Sequence, residues 1–159
     1  IAHVINGIPI AVDNVVVLVA KPRLLALSLT VRGHAVHLVS AHAIDTMYPY
    51  AAREAGWQDA LTVLLPLATN IICMGVDVNG RLGSQQSSAV GSYAAQLEDD
   101  NGFLYRRALE QLNMFAPATF SVAGPTNTWT SAQGSSKRID FIAVSAHAGF
   151  GSIHSTVLR

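Results

Sequence analysis

Asp77 and Asn79 stand two residues apart at the end of an apolar run, in the segment IICMGVDVNGRLG over residues 71–83, with glycine directly after them. A strand running through both would put the two side chains on one face. A carboxylate and a carboxamide leaving a buried strand together can hold a phosphate, an attacking water or a hard metal. Asp accepts a proton from water, and Asn donates to a phosphate oxygen without adding negative charge. A second acid, Asp140, lies inside another apolar run, KRIDFIAV over 137–144. His42 closes a third, HLVSAH, and an imidazole with the usual pKa of about 6.5 supplies a titratable cation near neutrality. Phosphodiester hydrolysis needs such a set: an oriented water, and compensation for charge building up on nonbridging oxygens. Mg²⁺ or Mn²⁺ suits oxygen-rich sites of this kind, through carboxylates, water and phosphate oxygens.

Each residue also has a plain structural reading. Asp-x-Asn before Gly commonly makes a turn, because both side chains cap their own backbone and tolerate left-handed conformations. Asp140 can pair with Arg138 or a backbone amide as a buried structural acid, or hold His42 in place. Trp129 reads most simply as core and Arg81 as a solvated turn residue, with a substrate contact as the functional alternative for each. His3, His34, His37, His147 and His154 read as surface or structural.

The elements that must position these groups follow from periodicity. Residues 15–20 are a β-branched run, and residues 24–42 form two strand-like arms meeting at Arg32 and Gly33. On the second arm His34, Val36, Leu38, Ser40 and His42 share a face, which places His42 beside the core at the sheet's rim. Residues 51–65 predict a helix with Trp57, Ala60, Leu61, Leu64 and Leu65 inward and Arg53, Glu54, Gln58, Asp59 and Thr62 mostly off the stripe, ended by Pro66. A strand over 69–78 follows, then a Ser/Gln/Gly loop over 84–92 that reads as solvated. Residues 101–112 predict a second helix, with Phe103, Leu104, Ala108, Leu109 and Leu112 inward and Arg106, Arg107 and Glu110 outward. Asp99 and Asp100 suit its N-terminus. Residues 127–131 and 138–145 complete a strand, a Gln133-Gly134 turn and a strand. Strands in pairs with helices between them favour an α+β domain with a largely antiparallel sheet.

The chain has 159 residues, half of them hydrophobic, enough for one domain with a real core. Ten basic residues balance ten acidic ones, so no net field steers it toward nucleic acid or an anionic membrane. Cys73, the single cysteine, reads as a packed core thiol and excludes an intrachain disulfide or a thiolate metal cluster. No apolar stretch approaches the roughly 18 residues of a membrane-spanning helix, and no membrane partner is expected.

Taken in order, PRLLALSLTVRGHAVHLVSAHA, GVDVNGRLGS, EDDNG, TNTWTS and KRIDFIAVS resemble the endonuclease/exonuclease/phosphatase superfamily, and most of all the endonuclease domains of non-LTR retrotransposons. The resemblance implies a deoxyribonuclease-I-like fold, a four-layer α/β/β/α sandwich of mainly antiparallel sheets, with residues 1–159 as one partial domain truncated at both ends. It implies that Asp77 orients or deprotonates the attacking water, that Asn79 holds the scissile phosphate and that His42 meets that phosphate. It makes Asp140 the second buried acid, which supports the site, with Asp77 and Asp140 touching a Mg²⁺ or Mn²⁺, and sets Trp129 beside the pocket. DNA is the implied substrate, in a parent protein fused to a reverse transcriptase. The family also has an Asn and a metal-binding Glu near its start and an Asp-His pair at its end. No Glu precedes Glu54, Asn6 and Asp13 lack a strand-end setting, and no acid follows Asp140. Units of a catalytic constellation are strongly non-additive, so weak or absent hydrolysis is expected of this chain, and a sheet lacking outer strands is expected to aggregate. Two other functions stay open: a phosphatase acting on lipid or small-molecule phosphoesters, and a non-catalytic remnant.

Overall fold

A computed structural model describes residues 14–31, 33–121 and 126–148, together with the backbone of β1 (His3–Ile5) and β2 (Ile8–Ile10), which pair as a small antiparallel ribbon. Asn6, Asp13, Arg32 and His154, and the side chain of His3, lie outside the described residues. The centre is a six-stranded sheet built from β3 (Val16–Lys21), β4 (Leu24–Val31), β5 (His34–His42), β6 (Ile71–Asp77), β7 (Met114–Phe115) and β10 (Asp140–Ser145), in the order β3-β4-β5-β6-β10-β7. Every pairing is antiparallel except β5 with β6. That parallel pair needs a crossover, supplied by α1 (Tyr50–Leu64). Gly33 closes the β4–β5 turn at φ +82°, a backbone setting that costs glycine little.

Alternation divides the sheet into two unequal faces. One carries Leu24, Ala26, Val39, Met74, Val76, Phe141 and Ala143, and packs as the core against α1 and α2 (Asp100–Gln111). Trp57 of α1, Tyr105 of α2 and Phe141 of β10 stack in series, with centroids 5.6 and 5.9 Å apart. The opposite face carries the row Val17–Leu27–Leu38–Cys73–Val144 and, beside it, Leu25–Ser40–Gly75–Ile142. Neither α1 nor α2 packs on this second face, and Val17, Leu25 and Ile142 on it are exposed. Among the described residues this makes an α+β arrangement of two layers, the six-stranded sheet and the helices on one of its faces.

Several expectations are corrected. His42 sits on the open face, opposite the helix-packed core, because the odd-numbered positions of β5 are the buried ones. Arg53 is buried and Leu65 exposed: α1 ends at Leu64, and Leu65–Leu67 forms a 3₁₀ turn around Pro66. In α2, Tyr105 is fully buried and Arg106 is half-buried, its guanidinium gripped by Glu98 and Glu110. Residues 84–88 of the solvated loop are mostly exposed, but Ala89, Val90 and Gly91 are buried. Thr119 Oγ1 accepts from the Gly91 amide and Ala89 O accepts from the Ala116 amide. Cys73 is half-buried on the open face instead of packed in the core, and burial raises its pKa. The last pattern splits into β8 (Trp129–Thr130) paired with β9 (Ser136–Lys137), apart from β10.

Candidate active site

The two open-face rows end, at the rim of the sheet, in a third that is polar. His42 of β5 pairs in register with Asp77 of β6, and Asp77 with Asp140 of β10. Residues in register on neighbouring strands share a face, so three groups from three chain segments meet side by side. His42 Nε2 and Asp77 Oδ2 are 3.8 Å apart, both partly exposed. All three line a cleft of about 570 Å³, with Gly75 and Ile142 below them and Thr128, Ala118 and Arg138 at its side. A Cβ placed on Gly75 would meet nothing within 4 Å, so the space above the strand stays open.

Strand β6 stops at Asp77, so the alternation that would align Asn79 with it stops too. Asn79 is in the left-handed region at φ +49°, where asparagine is tolerated. Its amide N–H donates to Asp77 Oδ1 at 2.9 Å, and its Nδ2 donates to Ala43 O at 3.0 Å. The turn reading of Asp-x-Asn is the one these bonds bear out. Asp77 spends one oxygen on the turn and turns the other toward His42, while Asn79 ties the end of β6 to the residue after His42.

The N-terminus of α2 holds this turn. Asp99 caps the helix by accepting from Gly102 N, and the same Oδ1 accepts from Arg81 N at 3.2 Å. Arg81 Nε donates to Asp99 Oδ2 at 3.1 Å, so its guanidinium pins the turn. Gly102 is needed by close approach, since a Cβ there would overlap Arg81 O. Asn101, 1% exposed, donates through Nδ2 to Ile44 O, Val78 O and Asn79 O, and accepts from Arg53 Nη1 at 2.8 Å. Arg53 Nη2 completes the network on Asp100 at 3.0 Å. One amide thus holds the loop after His42 and the turn after Asp77 in fixed relation.

Asp140 is exposed and does not pair with Arg138. The Arg138 guanidinium donates to Ala118 O at 2.7 Å and Tyr93 O at 3.0 Å, and burial pushes its pKa below the usual arginine range. Thr128 Oγ1 accepts from the amides of Ile139 and Asp140, each at 3.1 Å, and so holds the start of β10 at Asp140. Trp129 is exposed on the β8–β9 ribbon under Lys137 Nζ, 5.8 Å from its ring, and lines neither the cleft nor the core. His34 and His147 are exposed, whereas His37 is buried. Sequence reasoning missed Asn101, Arg53, Thr128 and Arg138. An Asn-Gly pair inside a helix start was a usable signal, because both residues weaken helices and call for another reason. Nothing in the pattern marked Arg53.

Among the described residues no cluster of three or more His, Cys, Asp or Glu assembles that could hold a metal ion. Mg²⁺ asks for less, one or two carboxylates with water and phosphate oxygens completing its shell. The neighbouring carboxylates of Asp77 and Asp140 fit that smaller demand.

No family model and no curated protein matches the chain. Solved structures do. The endonuclease domain of TRAS1, a telomere-specific non-LTR retrotransposon, aligns over 79% of this chain and 51% of its own, at 13% identity and TM-score 0.51. An endonuclease/exonuclease/phosphatase family protein from Leptotrichia buccalis aligns over 85% and 45%, at 15% identity and TM-score 0.53. The 3′ phosphatase NExo from Neisseria, bound to a product DNA hairpin, aligns over 80% and 54%, at 16% identity and TM-score 0.53. The chain spans about half the length of these solved chains.

Proposed function

Starting from a chain that carries about half of the deoxyribonuclease-I-like fold, we propose that its site belongs to a divalent-metal-dependent nuclease acting on DNA phosphodiesters. The observation that carries this reading is the row His42–Asp77–Asp140 at one strand level in an open cleft. Asp77 Oδ2 is the proton acceptor for water, since its Oδ1 is held by the Asn79 amide. His42 lies beside it as an imidazole donor for a nonbridging phosphate oxygen. Asn79 keeps a second Nδ2–H beyond the one given to Ala43 O, a donor that adds no negative charge. Asp77 and Asp140 would hold Mg²⁺ or Mn²⁺, which when bound neutralises charge on the transferring group. Asn101 and Asp99 keep the two loops from drifting during the reaction.

This chain carries the water-and-phosphate half of the site, so slow turnover is expected. Incubated with supercoiled plasmid and Mg²⁺, it should nick slowly, and Asp77→Ala should fall to background. Equal nicking by parent and Asp77→Ala would sink the assignment. Robust nicking that Asp77→Ala abolishes would keep the site and overturn the expectation of weak activity. One observation favours a phosphatase on lipid or small-molecule phosphoesters, namely the absence of net charge to steer DNA. Phosphate release from inositol phosphates, measured beside plasmid nicking, separates the two. The parent protein is proposed to be of retrotransposon type; an adjoining reverse transcriptase in its gene would support that, and its absence would count against it.

A further inference from the structure

A second cleft lies next to the acidic one and shares two lining residues with it, Ala41 and His42. It lies where the β3–β4 turn, the end of β5 and the middle of α1 meet. Its volume is about 360 Å³, and its walls include Leu24, Ala43, Ile44, Gly56, Trp57 and Ala60. Trp57 is fixed there by packing on Tyr105. The charged groups on this cleft other than buried Arg53 stand in solvent. Lys21 Nζ and Asp59 Oδ2 are 3.5 Å apart and offset one another. Arg23 gives one donor to Ala43 O at 3.3 Å and has no carboxylate partner among the described residues. The excess charge beside the cleft is therefore positive, and His42, the member of the hydrolytic row that also lines this cleft, stands next to it.

An apolar pocket at the small end of the range for ligand sites, with a spare guanidinium beside it, matches a nucleoside and its neighbouring phosphate. We propose that this cleft receives the base and sugar of the nucleotide next to the scissile phosphate, with Arg23 on an adjacent phosphate. The inference rests on the hydrolytic reading of His42, Asp77 and Asp140. A base pair is too large and rigid to enter, so the base must be unpaired or leave its stack. The cleft thus selects single strands, ends and gaps over intact duplex.

The test uses a short single-stranded oligonucleotide carrying 2-aminopurine, whose fluorescence reports stacking, titrated into the 159-residue chain beside the same sequence as duplex. The single strand should bind more tightly, with a saturable change in fluorescence as the base leaves its stack. Ala60→Leu, which fills the cleft from α1, should weaken binding about 10-fold or more. Arg23→Gln, on the exposed turn, should weaken it and flatten its salt dependence. Should Ala60→Leu unfold the chain by circular dichroism, Arg23→Gln decides. Equal binding of duplex and single strand, or binding unchanged in the folded variants, overturns the inference. Hydrolysis of methyl 4-nitrophenyl phosphate, a diester without a base, is followed separately in parent and His42→Ala. Hydrolysis lost in His42→Ala alongside binding insensitive to Ala60→Leu rejects the cleft and keeps the hydrolytic site. Hydrolysis unaffected by His42→Ala rejects the hydrolytic reading and the inference built on it.

Discussion

Truncating Asn101 should destabilise the chain far more than an average surface change at a helix N-terminus. In Asn101→Ala, Arg53 Nη1 loses its buried acceptor, and the carbonyls of Ile44, Val78 and Asn79 lose a shared donor. A charged donor left unsatisfied in the interior costs about 1.5–3 kcal/mol. The carbonyls of Ile44 and Asn79 belong to half-buried residues that water can reach, so they add little. Val78 is fully buried, and its carbonyl adds about 1 kcal/mol more. Alanine's better helix propensity returns roughly 0.5 kcal/mol. The expected loss is about 3 kcal/mol, a large share of the roughly 5–15 kcal/mol that holds a domain together. For a chain of this length that lowers the melting midpoint by about 6–12 °C. Thermal unfolding by far-ultraviolet circular dichroism, at matched concentration and pH, measures it. Arg53→Met combined with Asn101→Leu removes both partners, and should cost at least about 1 kcal/mol less than the two single losses together. A midpoint for Asn101→Ala within about 1 °C of the parent, or strictly additive losses, would refute the view that this amide holds the site's two loops.

Gly102→Ala should destabilise strongly, against the gain of about 1 kcal/mol expected of alanine in a helix, because its Cβ would overlap Arg81 O; urea unfolding at or above parental stability would contradict this. His37 is buried with neither ring nitrogen bonded, and burial lowers its pKa. The unfolded chain then binds more protons, so stability should fall as pH drops through about 6.5, and His37→Leu should flatten that fall in urea titrations between pH 7.5 and 5.5. Val17→Lys with Leu25→Lys, on the open face away from the acidic cleft, should reduce self-association; unchanged sedimentation behaviour would show that this face is not the adhesive one.

The strands, both helices and the Asp99 cap were legible because period 2, period 3.6 and turn residues agree along most of the chain. The grouping of His42, Asp77 and Asp140 came from motif order, and the register supplies its physical basis. Which face of β5 packs on helices could not be read, since His34–His42 alternates apolar and small residues on both sides. Arg53 was misplaced for a similar reason. Periodicity rates a residue by its own polarity, whereas Arg53 is buried because Asn101 and Asp100 await it on another helix. Arg81 showed its charge in the sequence and concealed its partner Asp99, which a loop brings back to the turn.

The row His42–Asp77–Asp140 also fixes when the site can exist. His42 and Asp77 are brought level by the α1 crossover, whereas Asp140 comes to them from beyond α2 and the β8–β9 ribbon in the chain. Closing so long a loop is entropically slow, and contacts of that separation form late in folding. A partly folded chain with the β4–β5 hairpin in place would still have no second carboxylate beside Asp77. The pairing of two carboxylates at one strand level is in this way tied to the docking of β10 on β6.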